Sequence, residues 1–238
     1  MLFVLSLGYF LYSYFVTFGE ITSRALAPGA LIVNAALFSA FALHHSVFAR
    51  ERVRAWVARH IRPANERSVY VWVASLMLIA VCALWQPLPG IVWDVTGVWK
   101  WGLRTAQVFG LWLSIRGAVI IDIWDLAGVR AARSTPNTQP PTPKGTGDSS
   151  AWELEVGSWE FKTDGPYGWV RHPIYLGWFL IVFATPRMTM TQLTFAVISC
   201  VYILIAIPFE ERSLLRTSGG AYERYRRRVR WKLVPLLY

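Results

Sequence analysis

The sequence Gly165-Pro-Tyr-Gly-Trp-Val-Arg-His-Pro-Ile-Tyr-Leu-Gly-Trp178 starts an apolar segment, which a second apolar segment follows before the chain reaches Glu210-Glu211-Arg212. Pro173 suits the first position of a helix, where its fixed backbone angle is favourable and an N–H is not needed. The second segment has the roughly 20 residues that a membrane-spanning helix requires. We therefore expect a helical hairpin whose two charged ends lie together on one side of a membrane. Charges in that position are costly unless they bind something.

The composition is typical of a membrane protein with several spans. Of 238 residues, 55% are hydrophobic and 16% are charged, and the chain contains 13 Trp. We predict an all-α bundle of five to six transmembrane segments, the last two forming the hairpin. The apolar stretches are Leu2 to Phe18, Gly29 to Ala49, Val69 to Gly90, Trp101 to Ile121, Pro173 to Thr185 and Thr189 to Pro208.

The basic residues orient these segments. Of the 24 Lys and Arg, 19 lie between the second and third segments, between the fourth and fifth, or after Pro208, whereas the opposite loops hold only Arg24, Lys100 and Arg187. The positive-inside rule then predicts a multi-pass membrane protein with both termini, and the charged end of the hairpin, on the cytoplasmic side. The net charge of +10 is explained by this topology and by anionic lipid, so we do not expect a nucleic-acid partner.

The chain is predicted to form a single domain, 1–238. Residues 1–130 would form a four-span scaffold, and 152–238 would hold the chemistry. Residues 131–151 are rich in Pro, Thr, Ser and Gly and are predicted to be a flexible loop. Cys82 and Cys200 fall inside apolar segments and are interpreted as packing residues, and no metal site is expected.

The pattern Gly-Pro-Tyr-x-x-x-Arg-His-Pro-x-Tyr, with Glu-Glu-Arg and Gly-Gly-Ala-Tyr-Glu-Arg-Tyr-Arg-Arg-Arg-Val downstream, resembles the isoprenylcysteine carboxyl methyltransferase superfamily of membrane methyltransferases. The N-terminal half, including Phe41-Ala-Leu-His-His-Ser-Val-Phe-Ala-Arg50, is similar to the bacterial branch that contains methanethiol S-methyltransferase and NnrU proteins. The resemblance implies that the chain is a transferase with S-adenosyl-L-methionine as its cofactor. Together with the predicted orientation, it implies a protein of the bacterial cytoplasmic membrane whose cofactor site is cytoplasmic.

The resemblance also implies which residues contact that cofactor. The matching positions are Trp159, Glu160, Phe161, Lys162, Tyr167, His172, Pro173, Tyr175 and Glu210. For two of these positions, the charge at the site is opposite to that of a group on the cofactor. The start of the helix at His172-Pro173 suits the carboxylate of the cofactor, and the Glu210 carboxylate suits a cation.

Arg171, Tyr175 and Glu211 are the candidate catalytic residues. A thiol acceptor must lose its proton, because the thiolate is the nucleophile, and Glu211 and Tyr175 are the candidates for receiving or relaying that proton. For Arg171 and Glu211 the alternative is an ion pair that merely closes the hairpin.

The acceptor is predicted from one departure from the family. The carboxyl methyltransferases have an Arg one helical turn before the first acidic residue, whereas this chain has Ala206. The change favours a small thiol such as methanethiol, which would give dimethyl sulfide. A lipid-like acceptor, such as a prenylated cysteine methylated on its carboxyl group, is one alternative. The other is an NnrU-like protein without transferase activity, in which His172 or the pair His44 and His45 binds haem. Membrane lipids are the only other partners expected.

Overall fold

The computed structural model describes residues 2–22, 26–48, 53, 59, 63–121, 165–218, 220–235 and 237–238. Helices form most of this part of the chain. They are α1 (Leu2–Tyr12), continued by a π-helical turn (Ser13–Thr17), α2 (Ala30–Phe48), α3 (Pro63–Leu84), α4 (Gly97–Ile121), a 3₁₀ turn (Gly165–Gly168), α5 (Pro173–Phe183), α6 (Met190–Thr217) and α7 (Ala221–Arg228). A helical fold is thereby confirmed. Residues 122–164, which include the predicted loop 131–151, lie outside the described part.

A short two-stranded sheet adds to the helices and was not predicted from the sequence. Strand β1 (Ile91–Asp94) pairs antiparallel with β2 (Arg187–Thr189). The sheet lies where α3 ends and α6 begins, and we call this end of the bundle the strand end. Thr189 also starts α6 with a capping box, in which its side chain and that of Gln192 each accept a backbone N–H of the other residue.

Successive helices run in opposite directions between the strand end and the other end, which we call the site end. Phe10 of α1 stacks on Trp178 of α5. One turn later on both, the hydroxyl of Tyr14, in the π-helical continuation of α1, donates to the Val182 carbonyl of α5, so α1 and α5 are parallel. Helices α2 and α6 also run parallel, since the first turns of α2 are bonded to Gln86 at the strand end, where α6 begins, and Ser39 farther along α2 accepts from Tyr202 in the middle of α6. As a result, α5 starts at the site end, where α2 and α6 finish.

Glycines bring α4 and α5 into very close contact. A Cβ built on Gly110 would lie 2.7 Å from the Gly177 carbonyl oxygen, and one on Gly177 would collide with Ser114 and with the Gly110 carbonyl. One side chain also bridges the backbones, because the Gln107 amide donates to the Ile181 carbonyl at 3.1 Å. Small residues that allow such close approach are a common way to pack helices without a hydrophobic driving force.

Aromatic rings fill the centre of the bundle. Phe195 of α6 is fully buried, and six aromatic rings from other parts of the bundle surround it. These partners are Phe10, Tyr14, Phe18, Phe38, Trp85 and Trp178. Polar side chains bond the backbone at the strand end. The Asn34 side chain donates to the Gln86 carbonyl and accepts the Gln86 N–H, at 2.9 and 2.8 Å. Asn34 therefore provides hydrogen-bond partners for the backbone of Gln86, where α3 has ended.

Helix α6 does not end at Pro208, where the apolar stretch ends in the sequence. It continues through Thr217, because a proline removes only one hydrogen bond of the helix and neighbouring groups can compensate. Two described helices, Ala30–Phe48 and Met190–Arg216, are long and apolar enough to cross a membrane. Cys82 and Cys200 are buried free thiols.

Candidate functional site

Four parts of the chain meet at the site end. They are the 3₁₀ turn Gly165–Gly168, the first turn of α5, the last turns of α6, and the C-terminal segment from α7 to Tyr238. The hairpin of α5 and α6 brings the Arg171-His172 pair within contact distance of the Glu210-Glu211 pair, as the sequence predicted. Because neighbouring residues of a helix point about 100° apart, the two glutamates face different surroundings.

Glu211 points inward and accepts three hydrogen bonds on one oxygen. Its Oε1 lies 2.7 Å from Arg171 Nε, 3.3 Å from His172 Nε2 and 3.0 Å from the Tyr222 hydroxyl. The Arg171 and Glu211 side chains are only 5% and 9% exposed. The pair is thus desolvated but held by several hydrogen bonds, which is the condition under which a buried ion pair is tolerated.

Glu210 points to the other side and is accessible, with 44% of its side chain exposed. The Tyr175 hydroxyl, one turn into α5, donates to Glu210 Oε2 at 2.9 Å. His172 connects the two glutamates, since its Nδ1 lies 3.8 Å from Glu210 Oε2 and its ring stacks on Tyr175 with 5.5 Å between the centroids. Glu210 therefore offers a carboxylate that Tyr175 and His172 hold but do not enclose.

The C-terminal segment completes the buried side of the site. The Arg171 guanidinium donates from Nη1 to the carbonyls of Val229 and Arg230, at 3.0 and 2.6 Å. The backbone amides of Arg171 and His172 donate to the carbonyls of Trp231 and Lys232, each at 2.9 Å. As a sequence, this basic, aromatic segment is typical of a helix lying on an anionic membrane surface, and its residue pattern does not predict these contacts. Backbone carbonyls leave no signal in the residue pattern.

Two tyrosines of α7 attach that segment to the site. Tyr222 and Tyr225 are buried, and the Tyr225 hydroxyl donates to the Tyr167 carbonyl at 2.9 Å. Burial, followed by the nearby Glu211 charge, raises the pKa of Tyr222 above its ordinary value. Burial likewise raises the pKa of Tyr225 to about 12. Both hydroxyls therefore keep their protons at neutral pH and act as donors.

The start of α5 at His172-Pro173 was predicted to suit the carboxylate of the cofactor. The geometry leaves a smaller set of donors, because the His172 amide and the Arg171 guanidinium are both engaged by the C-terminal segment. Pro173 occupies the first helical position and has no N–H. The amides of Ile174 and Tyr175 have no intrahelical acceptor in this first turn, and within the described residues no other acceptor lies within hydrogen-bond distance of them.

The remaining predicted residues divide into two groups. Tyr167 lies in the 3₁₀ turn and is close enough to Glu210 to interact with it electrostatically. The predicted cofactor stretch Trp159, Glu160, Phe161 and Lys162 lies outside the described residues. The catalytic roles of Arg171, Tyr175 and Glu211 and the cofactor roles of the others stay predictions. In the described part of the chain, no group of three or more His, Cys, Asp or Glu side chains is arranged to hold a metal ion.

Comparison with known proteins identifies the family. The sequence profile of the isoprenylcysteine carboxyl methyltransferase (ICMT) family matches residues 155–216, which include α5 and nearly all of α6. Methanethiol S-methyltransferase 2 of Bradyrhizobium diazoefficiens is 38% identical over 88% of this chain and 74% of its own length. The methanethiol S-methyltransferases of Crocosphaera subtropica and Mycobacterium tuberculosis are 35% and 36% identical, over 87% and 84% of this chain and 76% of each relative. No solved structure shows significant similarity. The chain therefore belongs to the isoprenylcysteine carboxyl methyltransferase family of membrane methyltransferases, together with the bacterial methanethiol S-methyltransferases.

Proposed function

We propose that this protein transfers the methyl group of S-adenosyl-L-methionine to the sulfur of a small thiol such as methanethiol, giving dimethyl sulfide. The observation that carries the proposal is the accessible Glu210 carboxylate, held by Tyr175 at the start of α5. It lies within the part of the chain that matches the methyltransferase family. The names of the relatives supply the acceptor.

The described residues fit the proposed cofactor at both of its charged ends. S-adenosylmethionine carries a carboxylate and two cationic centres, an ammonium and a sulfonium. The Ile174 and Tyr175 amides, at the positive end of the α5 dipole, suit the carboxylate. The Glu210 carboxylate suits a cation, and Tyr175 donates to Glu210 Oε2. When bound, the cofactor supplies an electrophilic methyl group on its sulfonium.

In such a displacement the protein acts mainly by holding the methyl donor and the thiol in line, because an in-line transfer depends on positioning. Tyr175 and Glu210 would orient the donor. His172 stacks on Tyr175 and bonds to Glu211, so the buried Arg171–Glu211 pair fixes the ring that supports Tyr175. On this basis we assign Arg171 and Glu211 a positioning role.

Ala206 of α6 is a second reason to choose a thiol as the acceptor. Ala206 is half-buried and lies four residues before Glu210, which places it on the same face of the helix, one turn away. A carboxylate acceptor brought to this face would lose its water without gaining a cation at position 206. An unpaired charge in a dry site is costly, so the site would discriminate against a prenylcysteine carboxylate and accept an uncharged thiol.

We also propose that the six helices α1 to α6 cross the membrane, the shorter α1 and α5 included, and that the site end is cytoplasmic. The helices expose many large apolar side chains, among them Ile32, Trp72, Val108, Val201 and Ile205, and lipid would cover them. The charge distribution supports the orientation: the strand end has Lys100 and Arg187, whereas eight Lys or Arg follow Pro208 at the site end.

The test compares acceptors and one substitution in the purified protein in lipid nanodiscs. Labelled S-adenosylmethionine is offered with methanethiol or with a farnesylcysteine analogue, and the products are identified. We expect volatile dimethyl sulfide and no ester. Ala206→Arg should slow thiol methylation, because a desolvated cation would lie beside the sulfur, whereas Ala206→Met adds comparable bulk without charge and serves as the control. Faster esterification of the prenylcysteine by the wild-type protein would overturn the acceptor, and a haem absorption band would contradict the transferase function.

A further inference from the structure

A histidine and a tyrosine at the site end form a pair for which neither the family assignment nor the proposed mechanism accounts. The Tyr70 hydroxyl of α3 lies 2.8 Å from Nδ1 of His45, near the end of α2, and 3.3 Å from the His45 carbonyl oxygen. His44 stacks on the Tyr70 ring with 5.7 Å between centroids. The tyrosine is thus held in place from two directions.

The bonds of Tyr70 determine which nitrogen of His45 is available. If the hydroxyl donates to the His45 carbonyl, it accepts the proton of Nδ1, and Nε2 then carries an unshared electron pair. Within the described residues, no hydrogen-bond donor lies within reach of Nε2. A neutral imidazole fixed in this tautomer is the arrangement in which histidine serves as a general base.

This pair lies at the same depth as the candidate site. Helices α2 and α6 run parallel, and Tyr202 of α6 donates to Ser39 of α2. His45 lies six residues beyond Ser39 and Glu210 eight residues beyond Tyr202, so at 1.5 Å per residue their depths differ by about 3 Å. Tyr70 is also close enough to Tyr175 to interact with it electrostatically.

The proposed reaction needs such a group, and Glu211 is poorly suited to it. A thiol must become a thiolate before it attacks. Glu211 Oε1 already accepts bonds from Arg171, His172 and Tyr222, and these donors stabilise the ionised form of the carboxylate and weaken it as a base. The Tyr175 hydroxyl already donates its hydrogen bond to Glu210.

We propose that His45 is the catalytic base that deprotonates the thiol and that Tyr70 is the positioning residue that sets its tautomer. The inference rests on the proposed thiol methylation. The S–H bond breaks, and its proton moves to Nε2 of His45. The sulfur electron pair forms the new S–C bond as the bond from the methyl group to the sulfonium breaks, and S-adenosylhomocysteine leaves as a neutral thioether. In the resulting imidazolium, Nδ1–H still donates to the Tyr70 oxygen. The proton on Nε2 then passes to water, since His45 is exposed.

The experiment compares two classes of thiol in the full-length protein in nanodiscs. One is methanethiol, which is protonated at the assay pH, and the other is an acidic aromatic thiol that is already ionised. His45→Gln should lower kcat/KM for methanethiol about 100-fold, the size typical of a lost general base. It should change the rate with the aromatic thiol by less than about threefold. Tyr70→Phe, which keeps the ring and removes the hydroxyl, should show a smaller loss with the same selectivity.

Two further measurements separate chemistry from structure. Affinity for S-adenosylmethionine, measured by calorimetry, should be unchanged in His45→Gln. Tyr202→Phe removes a different contact of α2 and should not discriminate between the two thiols. Equal losses with both thiols in His45→Gln, or a loss of cofactor affinity, would overturn the assignment of His45. If the wild-type protein methylates neither thiol, the proposed function fails instead.

Discussion

Replacing Arg171 by Met tests how much the buried ion pair contributes to the fold. The substitution keeps an unbranched apolar side chain but removes the donors to Glu211 and to the carbonyls of Val229 and Arg230. Glu211, 9% exposed, would be left buried without its cation. Breaking one partner of a buried pair costs about 3–5 kcal/mol. For a chain of this size that corresponds to a fall of about 6–20 °C in the midpoint of thermal unfolding.

The assay is unfolding of purified protein in mild detergent, followed by circular dichroism. Replacing both partners, Arg171→Met with Glu211→Leu, should recover at least half of the loss, because no buried charge is left unpaired. Adding Tyr222→Phe removes the hydroxyl that would then lack its acceptor. Arg226→Met is the control, since Arg226 forms an exposed pair with Glu223 at 3.0 Å and such pairs contribute at most about 1 kcal/mol.

The reasoning would be refuted if Arg171→Met unfolded within about 1 kcal/mol of the wild-type protein, the range expected for an exposed pair. A double variant less stable than both single variants would refute it as well. Methyl transfer by the stable double variant separates the two interpretations of the pair. A protein that regains stability but transfers no methyl groups would show that Arg171 and Glu211 are needed for the reaction, in a catalytic or a positioning role, and not only for the fold.

Three other substitutions test separate parts of the structure. Glu210→Ala should weaken S-adenosylmethionine binding in calorimetry about 10- to 100-fold, the effect of a lost hydrogen bond to a charged group, whereas Glu223→Ala should not, and equal affinities would remove Glu210 from the cofactor site. Gly177→Leu should prevent the close contact of α4 and α5 and lower the yield of monodisperse protein, whereas Gly102→Leu, where an added Cβ meets nothing within 4 Å, should be tolerated. Equal yields of the two variants would contradict the role of Gly177 in this contact. Asn34→Leu should cost about 1–3 kcal/mol because the Gln86 N–H and carbonyl lose their partner, and an unfolding midpoint equal to that of the wild-type protein would contradict this.

The hairpin could be predicted from the sequence because its signals are local. Pro173 marks the start of α5, and the length of the second apolar run fixes where the chain returns. The end of α6 could not be predicted in this way, since Pro208 suggests a stop, whereas the helix continues to Thr217. The sheet of β1 and β2 was missed because three- and four-residue strands beside apolar helices have no distinct pattern.

The C-terminal segment illustrates a more general limit. Its arginines suggested a membrane surface, and five of them, including Arg224 and Arg230, are indeed exposed. Its contribution to the site, however, comes from the backbone carbonyls of Val229 to Lys232. Every residue type carries that group, so composition could not reveal it. The tyrosines that attach the segment, Tyr222 and Tyr225, were visible in the sequence but are also what a membrane-interface helix would contain.

The two adjacent glutamates explain how one site can meet opposing demands. A binding carboxylate must be accessible to a cation, whereas a carboxylate that holds the fold must be buried and fully bonded. Because Glu210 and Glu211 are neighbours on α6, the 100° step of the helix gives one of them 44% exposure and the other 9%. His172 contacts both, and through it the buried pair positions the accessible one. A change at Glu210 should therefore alter binding with little effect on folding, whereas a change at Glu211 should alter both.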